Sequence, residues 1–247
     1  MSDTSTLLRA LRADLHAQAD PAHCDGARAF FKEPVRPLGV RSRDLNALIA
    51  RYWRTAKTLP PDDLIALCDQ LWDSGVFEEA SVACKWCSRA LPVLGQLDGL
   101  SAFNTFERWL STRVDNWAHC DDLCSHCIGG LLLRFPELVE RTLPWLASPN
   151  RWLRRGAAVC CVVPARRGLY LHHVFRVADV LLTDEDDLVR KGYGWLLKDA
   201  SLAWPREVLE FLLPRRSRMP RVALRYAIER MPPEWKRRAM QRPTPTK

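Results

Sequence analysis

The sequence predicts an all-α protein, an α-solenoid of stacked helix pairs in a single curved domain with a concave basic face. Three observations predict it. Apolar residues recur at helical spacing along most of the chain. Short blocks repeat about every 36 residues, the mark of a repeat array. Alternating β-branched runs between Gly or Asn turns are absent, and the one short β-like run, Val159 to Val163, continues a helical face from Leu153.

Taken in order, Leu7, Leu8, Leu11 and Leu15 mark the apolar face of a first helix, and Leu45, Leu48, Ile49 and Trp53 mark another. Pro60-Pro61 and Asp62-Asp63 precede Leu64, Leu67, Cys68 and Leu71, which puts acids in a first turn, where the helix dipole favours them. Pro92, Pro136 and Pro205 fall where helices should start. Trp109-Leu110 and Trp145-Leu146 are 36 positions apart, and Leu181-Leu182 lies another 36 on. A short polar stretch and a new helix follow each pair: STRVDNW, ASPNRWL, TDEDDLV. Arg154-Arg155-Gly156 and Arg190-Lys191-Gly192 keep the same spacing, and Trp72, followed by DSGVFEEA, fits one copy earlier at 37. The period lies between the ~34 residues of tetratricopeptide units and the ~40–47 of HEAT units. The tetratricopeptide pattern of Trp, Gly, Tyr and Pro does not fit, so the units read as HEAT-like. The array is expected over 1–235, with 236–247 a basic tail whose prolines and threonines predict disorder.

Hydrophobic residues make up 47% and charged residues 27%, which excludes a disordered or collagen-like chain. No stretch approaches the ~20 uncharged apolar residues of a membrane-spanning helix. The opening MSDTSTLLRALRADL carries charge where a secretory signal needs its apolar core, so a cytoplasmic protein is expected. The net charge is +8. Twelve basic and four acidic residues lie between Pro205 and Lys247, so all the excess sits in the last sixth of the chain. Such asymmetry points to a polyanion, because basic patches release the counterions of phosphates; the alternative is a solvated tail that aids solubility.

Basic residues also recur at one phase of the repeat, Arg154 with Arg190 and Arg155 with Lys191. A stripe of this kind suits evenly spaced phosphates, and the acids of the last copy, Asp184 to Asp187, are expected to cluster in the turn. Nine cysteines in a cytoplasmic chain read as thiols. Cys84/Cys87 and Cys124/Cys127 are C-x-x-C pairs, and the second joins His119, Cys120 and His126 in a dense run. Zinc is one reading. However, zinc pairs sit on turns, and Cys120, Cys124 and Cys127 fall at i, i+4, i+7 on one helical face, where small thiols pack a seam.

Of ten tryptophans, Trp72, Trp109 and Trp145 follow the repeat and read as core. Trp117 and Trp195 break the pattern. Trp117 and Asp121 are one helical turn apart, and an indole beside a carboxylate is a place to hold a cation. Gly192 and Gly194 precede Trp195 and let another group approach closely. The bland alternative is a packing tryptophan beside a capping acid.

These pieces also occur in a recognisable order. DNWAHCD at 115–121, LRFPELVERTLPWLASPNRWLRRGAAV at 133–159 and VRKGYGWLLKDA at 189–200 resemble the AlkD-like bacterial DNA alkylation-repair glycosylases, a HEAT-like family. ARAFFKEPVRPLGVRSRDLNAL at 27–48 is similar to the family's N-terminal region. The resemblance implies a monofunctional glycosylase for cationic alkylpurines such as 3-methyladenine and 7-methylguanine. It implies Asp121 as the catalytic aspartate, acting as an ionised carboxylate, Trp117 and Trp195 flanking the sugar of the lesion, and Arg155 on a phosphate; Lys191 or Lys198 is expected to assist Arg155. One position departs: Ala29 stands where the family has a Tyr, with Phe30 adjacent. The partner implied is double-stranded DNA carrying alkylated bases, met by a nucleoid-associated monomer with no metal, cofactor or membrane. Three alternatives remain open on sequence: a non-catalytic HEAT-like protein binding bent or branched DNA, a protein-binding HEAT scaffold, and a zinc protein.

Overall fold

The computed structural model describes residues 3–241, and every regular element among them is helical. No helix of the described residues is long and apolar enough to cross a membrane. The helices gather into two compact units, Met1–Leu123 and Cys124–Lys247, where the sequence predicts one domain over 1–235.

The first unit holds α1 (Asp3–Ala17), α2 (Pro21–Phe30), α3 (Ser42–Ala56), α4 (Pro61–Asp73), α5 (Phe77–Leu97), α6 (Gly99–Thr112) and α7 (Trp117–Asp122). Leu7, Leu8, Leu11 and Leu15 of α1 are buried, as are Leu48 and Ile49 of α3 and Leu64, Leu67, Cys68 and Leu71 of α4. Pro92 does not start a helix but lies inside α5. An interior proline forfeits one backbone hydrogen bond, and the buried Trp86, Cys87, Ala90 and Leu91 around it keep the helix packed through that loss. Two buried acids at the start of α5 organise the unit. Glu79 takes a forked ion pair from Arg12 of α1, with contacts of 2.9–3.1 Å. Glu78 accepts the backbone N–H groups of Leu38, Gly39 and Val40 at 2.9, 2.9 and 3.1 Å. Three donors on one carboxylate tether the irregular segment between α2 and α3. Glycine is required at position 39 on two counts: its φ is 86°, and a Cβ would stand 2.2 Å from the Asp20 carbonyl oxygen.

A π-helical segment (Leu123–Ile128) follows α7. The second unit then continues through α8 (Gly129–Arg134), a 3-10 segment (Pro136–Ala147), α9 (Arg151–Val159), α10 (Val162–Arg166), α11 (Leu171–Val180), α12 (Asp187–Ala200), α13 (Pro205–Arg215), α14 (Arg221–Ala227) and α15 (Pro233–Met240). Pro136 and Pro205 do open their segments. The boundary expected at 235/236 falls inside α15, and residues 242–247 of the expected tail lie outside those described.

The 36-residue spacing has a local cause. Asn150 and Asp186, 36 positions apart, each cap the helix that follows a polar turn, as Asn116 does 34 positions before Asn150, their side-chain oxygens accepting the first backbone N–H groups. Trp72, Trp109 and Trp145 are buried, as expected for repeat core. Trp72 and Trp109 touch at 6.1 Å between ring centroids, and Trp109 donates its Nε1–H to Asp69 at 2.6 Å.

Gly192 and Gly194 serve close packing between helices. A Cβ on Gly194 would meet the Ala223 carbonyl oxygen and the Tyr226 Cβ of α14, both at 2.8 Å. A Cβ on Gly192 would meet the Arg155 side chain of α9 at 3.3 Å. The groups these glycines admit are therefore the neighbouring helices on either side of α12.

Candidate active site

Each unit carries part of the predicted residue set. In the first unit, Asn116 caps α7 and locks His119. Its Oδ1 accepts the His119 N–H at 3.0 Å, and its Nδ2 lies 2.8 Å from His119 Nδ1. His119 Nε2 is 3.0 Å from the Phe77 carbonyl oxygen, and the ring stacks on Phe77 at 4.4 Å. Burial pushes the His119 pKa down, more strongly than the Phe77 carbonyl and the nearby acids raise it.

From this anchor an aromatic row runs outward. Phe31 packs on Phe77 at 5.4 Å and on Trp117 at 5.5 Å; Phe30 meets Trp117 edge-on at 5.8 Å. Phe30 is 69% exposed, the most exposed of the large apolar side chains described. Trp117 and Asp121, brought onto one face of α7 by their four-residue spacing, are both half-buried. The next acid, Asp122, is ion-paired to Lys85 of α5 at 2.7 Å. An indole and a carboxylate on one rigidly capped turn offer a face and a charge to a cationic group. Phe31 and Phe77 were not singled out from sequence. The signal available was the adjacent Phe30-Phe31 pair at the end of an otherwise polar helix, which is costly to expose without a partner.

The zinc alternative finds no cluster: among the described residues no three His, Cys, Asp or Glu side chains converge to hold a metal. Cys120, Cys124 and Cys127 are buried, and the π-helical turn between them departs from the α-helical i, i+4, i+7 register the sequence predicts.

In the second unit, Lys191, Trp195 and Lys198 share one face of α12, with Trp195 half-buried. The basic stripe takes a different form from the one expected. The turn acids do not stand apart from it; they hold it. Arg154 donates to Asp184 at 2.7 Å and to the Ser148 carbonyl at 2.8 Å. Arg190 donates to the Asp184 carbonyl oxygen at 2.5 Å. Arg155 is buried and donates to the Leu188 carbonyl oxygen. Lys191 pairs with Asp187 at 2.8 Å, which holds its ammonium above the usual lysine range. Lys198 pairs with Glu229 at 3.3 Å and lies over the Tyr226 ring at 5.7 Å. Charges about 30 residues apart in sequence meet across adjacent repeats, which a chain-order reading of the stripe does not register.

The chain matches the family model described as DNA alkylation repair enzyme over residues 11–231. Among solved structures it is similar to a "Predicted DNA alkylation repair enzyme from Enterococcus faecalis" at 16% identity and a TM-score of 0.76. That likeness covers 87% of this chain and 97% of the other, and at such identity it speaks for the fold. No curated protein matches. With the family model covering most of the chain and the helical fold in agreement, the chain belongs to the DNA alkylation repair enzyme family.

Proposed function

We propose that the protein is a monofunctional DNA glycosylase that excises positively charged N3- and N7-alkylated purines from duplex DNA. The observation that carries this reading is the pairing of Trp117 with Asp121 on one face of α7, held by the Asn116–His119 cap, in a member of a DNA alkylation repair family.

The chemistry follows from the substrate's charge. A purine alkylated at N3 or N7 is already cationic, so its glycosidic bond breaks without protonation of the leaving group. The bonding electrons pass to the base, which departs neutral. Positive charge develops on the sugar as an oxocarbenium ion, and a water oxygen bonds to the anomeric carbon and loses a proton. A carboxylate beside that carbon stabilises the cation electrostatically and orients the water. Asp121 takes that part. Trp117 lays its ring against the sugar and excludes bulk water, and the same reading gives Trp195 the part of a second indole there. Recognition through charge, without a pocket for the flipped base, makes uncharged lesions poor substrates.

The test is Asp121→Asn, which keeps size and removes charge. Release of 7-methylguanine from methylated duplex should fall ~10²–10³-fold, the scale of one electrostatic stabiliser, while DNA binding is kept. Unchanged turnover, or wild-type release of uracil as fast as 7-methylguanine, would sink the assignment.

A further inference from the structure

All five cations that the sequence assigns to phosphates have partners within the second unit: Asp184 for Arg154, Asp187 for Lys191, Glu229 for Lys198, and backbone carbonyls for Arg155 and Arg190. A cation already matched by a carboxylate brings little net charge to a phosphate. The excess of twelve bases over four acids beyond Pro205 is distributed differently. Arg218, which follows α13, Arg225 of α14, and Arg237 and Arg238 of α15 are exposed, and none has an ion-pair partner among the described residues.

The backbone stretches that carry these four are brought together. Arg216 donates to the Gln241 carbonyl oxygen at 3.1 Å and Arg221 to the Met240 carbonyl oxygen at 3.4 Å, so the end of α13 and the start of α14 both dock on the end of α15. Arg225 stands one turn beyond Arg221, and Arg237 one turn before Gln241. No exposed large apolar side chain lies between 205 and 241. The surface therefore lacks the apolar anchor of a protein interface and the exposed rings that stack single-stranded bases. Guanidinium groups alone suit phosphate oxygens, which they meet with a two-pronged fork.

We infer that Arg218, Arg225, Arg237 and Arg238 form a backbone-gripping surface for duplex DNA, separate from the residues that act on the lesion. The inference rests on the DNA reading above. Its test is the full chain with Arg218, Arg225, Arg237 and Arg238 all changed to Gln, beside the same four changed to Lys, matched for thermal melting. Binding of a short undamaged duplex is followed against salt. The Gln variant should lose about 0.9 of the log–log salt slope per arginine, ~3–4 in all, and bind roughly 10²-fold more weakly at moderate salt. The Lys variant should restore most of both. Release of methylated base by the Gln variant should need more protein to reach its half-maximal rate, in step with the weaker binding, and the Lys variant should recover most of that loss.

A Gln variant with the wild-type slope overturns the surface, and the glycosylase reading then stands or falls on base release by the wild type. Steep, arginine-dependent binding with no base release by the wild type removes the glycosylase and leaves the surface in place. Tighter binding of single-stranded RNA with the same arginine dependence overturns duplex DNA as the occupant.

Discussion

Asn116 and His119 are joined twice, once through the His119 backbone N–H at 3.0 Å and once through the ring Nδ1 at 2.8 Å. For Asn116 to donate to Nδ1, the ring must keep its proton on Nε2, where it is donated to Phe77. The turn that carries Trp117 and Asp121 is thus fixed by a neutral imidazole.

A pH dependence follows. Burial lowers the His119 pKa from its ordinary 6.5. Just below that value the unfolded chain binds a proton that the folded chain does not. The stabilisation is therefore complete above about 6.5 and is lost as pH falls toward the lowered value. His173 has the opposite sign: burial opposes its charge, but Cys161 and Glu140 raise its pKa, so its contribution fades as pH rises. Thermal melting of wild type at pH 7 and 5.5 should show a drop that His119→Gln reduces. An equal drop in both proteins would mean the ring is not the titrating group.

The two glycines of α12 should respond unequally to alanine. Alanine gains about 1 kcal/mol of helix propensity at either site. At Gly194 the new methyl would stand 2.8 Å from the α14 backbone, and overpacking of this kind costs ~1–3 kcal/mol. At Gly192 the neighbour at 3.3 Å is the Arg155 side chain, which can shift. Denaturant unfolding should find Gly194→Ala clearly destabilised and Gly192→Ala near neutral. The reverse order would contradict the packing described.

Arg154→Ala should act on stability and barely on DNA. Losing its forked contacts to Asp184 and the Ser148 carbonyl leaves a largely buried carboxylate unmatched, a loss of about 1–3 kcal/mol. The salt slope of duplex binding should stay at the wild-type value. A slope shallower by ~1 would show that Arg154 meets a phosphate after all.

Much of this molecule was legible in the chain because its repeat is written in local chemistry. The apolar faces of α1, α3 and α4 and the core tryptophans are periodic, and the caps at Asn150 and Asp186 sit in turns that sequence comparison aligns. Trp117 and Asp121 were readable for the same reason: four residues on a helix fix a shared face. What escaped depends on partners remote in sequence. Glu78 and Glu79 were not singled out from sequence, yet their oxygens serve Leu38, Gly39, Val40 and Arg12. The Arg154–Asp184 pair spans 30 positions, so the carboxylate that matches Arg154 is not visible from its neighbours in sequence. Pro92 misled because packing outweighed propensity.

All nine cysteines lie buried. Cys161 belongs with them, although Cys160, more than the opposing burial, and then His173 bring its pKa down to about 6. Sulfur is the softest nucleophile a protein offers, and it reacts with electrophiles as the thiolate. A methylating agent loose in the surrounding solution meets none of these atoms on the folded molecule. Burial thereby keeps the softest nucleophiles of the chain away from the class of reagent whose damage its family is named for repairing.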